Sequence, residues 1–204
     1  KPPEFSHPGI VGQPPTAPQS ADMGSLRAIG IRPVSFQRGS EAHIFAPISG
    51  PLGTRAKLIK TIIPILTRTD TKSIVSLGDP SDKAVKKHGS CEIHSWLSKN
   101  KRDEYMRNAK MVIFSGGHGT CFEVIRHRKP SICIPTQPEQ SANAKKLQEM
   151  KCSITAENET QLKLAISEIE EKTQFYKKNV TKISEFSSRF NGLERAVAVI
   201  ENSL

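Results

Sequence analysis

Aromatic residues make up only 5% of the sequence, with one Trp, two Tyr and eight Phe, and they form no aromatic stacking signature of an RNA-binding sheet. No apolar run approaches the roughly 20 residues that span a bilayer, and the first residues lack the apolar core of a secretory signal. Such a chain is expected to touch a membrane at most. Cysteine is sparse as well: Cys91, Cys121, Cys133 and Cys152 stand far apart and form no CxxC pair. Neither a zinc site nor a disulfide framework is indicated, and reduced, buried thiols are expected. The cytosol, or the cytosolic face of a membrane, follows as the expected compartment. The phosphate-loop pattern GxxxxGK[ST], the dinucleotide pattern GxGxxG and an Asp-x-Asp metal motif are all missing.

What is abundant is positive charge. Thirty Lys and Arg against 20 Asp and Glu give a net charge of +10, which favours anionic partners such as a phosphorylated ligand, an acidic lipid surface or nucleic acid. The basic residues are dispersed, so nucleic acid is the weakest of the three readings.

Residues 1–42 differ from the remainder. "KPPEFSHPGIVGQPPTAPQSADMG" is rich in Pro, Gly and small polar residues and has no sustained period, so an irregular linker, or the remnant of a preceding domain, is expected there. The chain opens on Lys1-Pro2-Pro3 without an initiating Met, which reads as a piece of a longer protein. From His43 onward strands and helices alternate. Strands are expected at His43–Ile48, Ser73–Leu77, Cys91–Trp96, Met111–Phe114, Ser131–Pro135 and Cys152–Thr155. Helices are expected at Arg55–Leu66, Lys101–Asn108, Thr120–Arg128, Ser141–Met150, Glu159–Lys172 and Gly192–Glu201, with an ambiguous stretch between the last two. Strands spaced by helices imply an α/β fold with a doubly wound parallel sheet, and residues 43–204 form the expected folded domain.

Two strand-to-helix turns are glycine-rich: Ser49-Gly50-Pro51-Leu52-Gly53-Thr54-Arg55 and Ser115-Gly116-Gly117-His118-Gly119-Thr120. In an open α/β sheet, ligands bind beyond the carboxyl ends of the strands. There, backbone N–H groups at a helix start suit a phosphate. Two such turns on one sheet suit a diphosphate. A tight turn alone is the plainer reading of Gly50, but three glycines between Gly116 and Gly119 exceed what chain reversal needs.

Val112–Leu147, "VIFSGGHGTCFEVIRHRKPSICIPTQPEQSANAKKL", resembles the C-terminal donor-binding half of glycosyltransferase-B enzymes. The resemblance is to the group that holds the peptidoglycan GlcNAc transferase and the UDP-glucuronosyl and plant glucosyl transferases. It extends more weakly over Ile44–Ser153 and implies a Rossmann-like, nucleotide-sugar-binding domain. On these positions it implies that Gly116, Gly117, Gly119 and Thr120 cradle the diphosphate, with Gly50, Gly53, Thr54 and Arg55 on its other side. Glu123 would accept both ribose hydroxyls, Trp96 and Leu97 would lie by the base, and Glu139 and Gln140 would hold the transferred sugar. Ser115 stands where many relatives have His, so His118 is a candidate to supply charge to the diphosphate. Each residue also has a plainer reading: Glu123 as a surface acid, Trp96 as core, Glu139 and Gln140 as a helix cap, His118 as incidental. Asn143 is read as structural.

The implied activity is transfer of a hexose or N-acetylhexosamine from a UDP-sugar to an acceptor hydroxyl or phosphate, with inversion and without metal or other cofactor. The acceptor base is not apparent in this chain. The resemblance places it in an N-terminal acceptor domain or in a separate, membrane-bound partner subunit. A nucleotide-sugar epimerase and a noncatalytic nucleotide-sugar-binding subunit are the alternatives.

Overall fold

The computed structural model describes residues 43–190 and 192–203; the expected linker, 1–42, lies outside the described residues. Seven strands form one sheet in the order β3-β4-β2-β1-β5-β6-β7. In chain order they are β1 (His43–Pro47), β2 (Ser73–Ser76), β3 (Val85–His88), β4 (Cys91–His94), β5 (Ala109–Phe114), β6 (Ser131–Cys133) and β7 (Ser153–Thr155). The helices are α1 (Leu52–Leu66), α2 (Lys99–Asn108), α3 (His118–Arg126), α4 (Pro138–Glu149), α5 (Glu159–Glu171), α6 (Thr173–Ser187) and α7 (Gly192–Glu201).

All neighbouring strands run parallel except β3, which pairs antiparallel with β4 and forms the edge. The sequence reading left Gly78–Ser90 as a polar stretch. Val85–His88 is exposed throughout and carries two lysines, so it lacks the apolar run that marks a buried strand. An edge protected by lysines resists pairing with other chains.

β1 lies at the centre, and every residue of it is buried. The chain runs outward from β1 through α1 to β2, then returns and runs the other way through β5, β6 and β7. Parallel crossovers share one hand, so connections running in opposite directions place their helices on opposite faces. One apolar layer accordingly joins Ile44 and Ala46 with Leu58 and Ile62 of α1 and Leu162 and Ile166 of α5. The other joins Phe45 with Met106 of α2, Val124 of α3, Leu147 of α4 and Val180 of α6. The reversal of direction falls between β1 and β5, which pair directly. Beyond the carboxyl ends of those two strands lie the two glycine turns, side by side. A doubly wound sheet opens its ligand crevice at this point.

Candidate donor-nucleotide site

The helix starts are of two kinds: α2 and α5 carry a side-chain cap, and α1, α3, α4 and α6 do not. Ser98 caps α2 by accepting the N–H of Lys101, and Asn158 caps α5 by accepting the N–H of Gln161. α1 begins after Pro51 and α3 after Gly117, neither with a side-chain cap. In α3 the first ladder bond runs from the N–H of Cys121 to Gly117 O. Among the described residues no acceptor meets the N–H groups of His118, Gly119 or Thr120. Uncapped donors at the positive end of a helix form an anion site.

The glycines of this turn divide into two kinds. Gly116 has φ +86°, and a Cβ there would lie 2.8 Å from the carbonyl oxygen of Gln140; the fold itself requires glycine. At Gly117 a Cβ would meet only Ser115 Oγ at an ordinary 3.8 Å, and at Gly119 it would meet nothing within 4 Å. Both have unremarkable φ, so the protein supplies no steric reason for either. Gly50, at φ +109°, is a turn requirement, whereas Gly53 is again open.

A cleft of about 450 Å³ occupies the crevice, walled by Pro47–Gly50, Ser76, Gly78, Trp96, Leu97, Lys99, Arg102, Asp103 and Glu123. It lies within the size range of small-molecule sites. The structure thus brings together Gly50, Trp96, Leu97 and Glu123, which are far apart in sequence. Trp96 is 47% exposed and Leu97 is buried, so the indole is a cleft wall and not core. The second glycine turn adjoins this cleft without forming its wall. The connection is Arg102, whose Nη2 donates to Thr120 Oγ1 at 3.3 Å and to Glu123 Oε2 at 2.5 Å. Sequence reasoning missed Arg102, since no local pattern signals a partner 21 residues away.

Two expected residues are engaged otherwise. Arg55 Nη1 donates to Gly78 O at 2.6 Å and to Leu77 O at 3.4 Å, so the guanidinium braces the end of β2. It lines a separate hollow with Asp79 and Asp82, and the expected contribution of charge to the diphosphate is corrected accordingly. Gln140 is buried, and its Oε1 accepts from both the N–H and the Oγ1 of Thr136. That is a helix-start role, and Gln140 offers no free acceptor to a sugar. Gly53 and Thr54 form the first turn of α1 and do not wall the cleft.

Glu139 and His118 are exposed and face each other, with His118 Nδ1 4.0 Å from Glu139 Oε1. Asn143 Nδ2 donates to Gly116 O and to Glu139 Oε1, both at 2.9 Å. It locks the start of α4 to the glycine turn, as its structural reading anticipated. Cys121 points its thiol at Gly116 O, and burial pushes its pKa up to about 11, so it is a neutral packing group. Among the described residues no cluster of His, Cys, Asp and Glu is arranged to hold a metal, and no helix is long and apolar enough to cross a membrane.

Comparison with known proteins agrees with this geometry. No curated protein matches the sequence. Among solved structures, the calicheamicin glycosyltransferase superposes with a TM-score of 0.66 at 13% identity, covering 83% of this chain and 45% of that one. The glycotransferase of kitacinnamycin gives 0.64 at 18% identity, covering 83% and 45%. A spinosyn rhamnosyltransferase complexed with thymidine diphosphate gives 0.62 at 15% identity, covering 80% and 46%. At these identities the likeness establishes the fold, a glycosyltransferase-B Rossmann-like domain, and the chain spans slightly less than half the length of these proteins. The model of the glycosyltransferase family 28 C-terminal domain matches residues 56–195, more than half of the chain. By its sheet, its paired glycine turns and this match, the chain belongs to the glycosyltransferase family 28 C-terminal domain family.

Proposed function

We propose that this domain binds a UDP-sugar and presents its anomeric carbon to an acceptor hydroxyl or phosphate carried by a second domain or polypeptide, as a hexosyltransferase. The observation that carries the reading is the meeting of two uncapped helix starts at the sheet's reversal point, over a cleft that already holds Trp96 and Glu123. In this reading Ser115, Gly116, Gly117, His118, Gly119 and Thr120 hold the diphosphate from α3, and Gly50, Gly53 and Thr54 approach it from α1. Glu123 accepts the ribose hydroxyls; its carboxylate has lone pairs for both. Trp96 and Leu97 flank the base, and Glu139 faces the sugar.

The nucleoside diphosphate gains negative charge as its bond to the sugar breaks. The free amides of α3 are in place before that happens, so they stabilise the transition state more than the ground state. In-line attack by the acceptor inverts the anomeric carbon. Its hydroxyl proton must pass to a base, which we assign to an N-terminal acceptor domain or a partner subunit. The thymidine diphosphate in the spinosyn enzyme supports a nucleoside diphosphate donor. The net charge of +10 supports docking at an anionic, cytosolic membrane face, where each basic residue near the surface contributes about 1 kcal/mol.

The test is thermal melting with UDP. At about a hundredfold excess over Kd, UDP is expected to stabilise the protein by about 2.7 kcal/mol. The Glu123→Ala variant should fold and lose most of that gain. Failure of both UDP and thymidine diphosphate to raise Tm would overturn the reading. Incubated with UDP-GlcNAc alone, the chain should leave the sugar unepimerised, and with a simple acceptor it should transfer little.

A further inference from the structure

We propose that Arg102 is a positioning residue for Glu123, and that the pair gives the cleft its selectivity for a nucleotide bearing ribose hydroxyls; this rests on the functional reading above. Arg102 lies in the first turns of α2, directly after Trp96 and Leu97, whereas Glu123 and Thr120 belong to α3. One guanidinium nitrogen bridges Glu123 Oε2 and Thr120 Oγ1, so it ties the base-side loop to the diphosphate-side helix. Both charged side chains wall the cleft and are about one-third exposed, 30% for Arg102 and 35% for Glu123. An ion pair placed for stability alone contributes little at such exposure. This one also leaves Arg102 Nε buried without a partner among the described residues, an arrangement that disfavours the fold.

What the arrangement achieves is orientation. With Oε2 held by Arg102, Oε1 and the remaining lone pairs of Glu123 stay available to hydroxyl donors. Asp103 and Lys99 also stand on the cleft wall, and Arg102 is the cation in contact with Glu123. Removing Arg102 frees the carboxylate to rotate.

The experiment measures Kd for UDP and for 2′,3′-dideoxyuridine diphosphate by calorimetry. Arg102→Met is expected to weaken UDP about tenfold, the loss of a charge-assisted contact, and to weaken the dideoxy probe distinctly less. Arg102→Lys should restore part of the preference and covers the case in which the Met variant does not fold. In a Glu123→Gln background, Arg102→Met should add little, the non-additivity of two groups acting as one. Equal weakening of both probes, tighter UDP binding, or full additivity would overturn the inference. Failure of the unaltered protein to bind either probe would overturn the functional reading and this inference with it.

Discussion

At Gly116 a methyl group would meet the Gln140 carbonyl oxygen at 2.8 Å and force a positive φ on an L-residue. Gly119, three positions on, faces open space. The two substitutions to Ala should therefore behave oppositely. Gly116→Ala is expected to lose about 1–3 kcal/mol from backbone strain alone, read as a Tm several degrees lower. Gly119→Ala should hold or raise Tm, since Ala is the better helix former by about 1 kcal/mol. Its methyl would stand over the free amides, so UDP binding should weaken. A Gly119→Ala protein that binds UDP normally would remove the steric argument for the diphosphate site. The glycines were legible in the sequence as a group but not as two kinds, because only the neighbouring chain reveals which of them is crowded. Arg55 and Gln140 show the same limit. Their residue types suit phosphate and sugar, but the Gly78 carbonyl and the Thr136 amide take them first.

Among the elements, four helices begin earlier than the sequence implied: α1 at Leu52, α2 at Lys99, α3 at His118 and α4 at Pro138. Sequence rules look for Ser, Thr, Asp or Asn at a helix start; α2 has Ser98 there, but α1, α3 and α4 have Pro51, Gly117 and Gln137. The signal was missing because two of the starts are left open at the crevice. α5, which Asn158 caps, began where it was expected. Asn158→Ala should lose about 1 kcal/mol in a denaturant titration and leave UDP affinity unaltered. Gly117→Ser should do the reverse. The extended backbone at Gly117, φ −61° and ψ 140°, accepts a serine, which then caps α3 and improves stability by a few tenths of a kcal/mol. The same hydroxyl would occupy the amides that the diphosphate needs, so affinity should fall as stability rises.

For the whole molecule, the parallel sheet and its two apolar layers were legible because the central strands are buried on both faces and read as unbroken apolar runs. The α6 region stayed ambiguous because its mixed sequence buries only Tyr176, Val180 and Ser184 among long polar stretches. Two histidines make the fold sensitive to acid. Desolvation holds His43 below its ordinary value of 6.5, against an opposing hydrogen bond with the Tyr105 carbonyl, and desolvation lowers His127 likewise. The unfolded chain therefore takes up protons that the folded one refuses. Stability is complete above about pH 6.5 and falls as pH drops through the folded values. Melting curves between pH 7.5 and 5 should show this decline, and His43→Gln should flatten it. An unchanged slope in that variant would remove His43 from the account. Finally, Gly116 abuts Gln140 and accepts from Asn143, so the loop after β5 and the opening of α4 interlock like two pieces of one joint. Chimeras that exchange segments with a relative should fold when the breakpoint precedes β5 and both pieces travel together. A breakpoint between them should yield insoluble protein, so efforts to retune sugar preference need to transplant the two as a cassette.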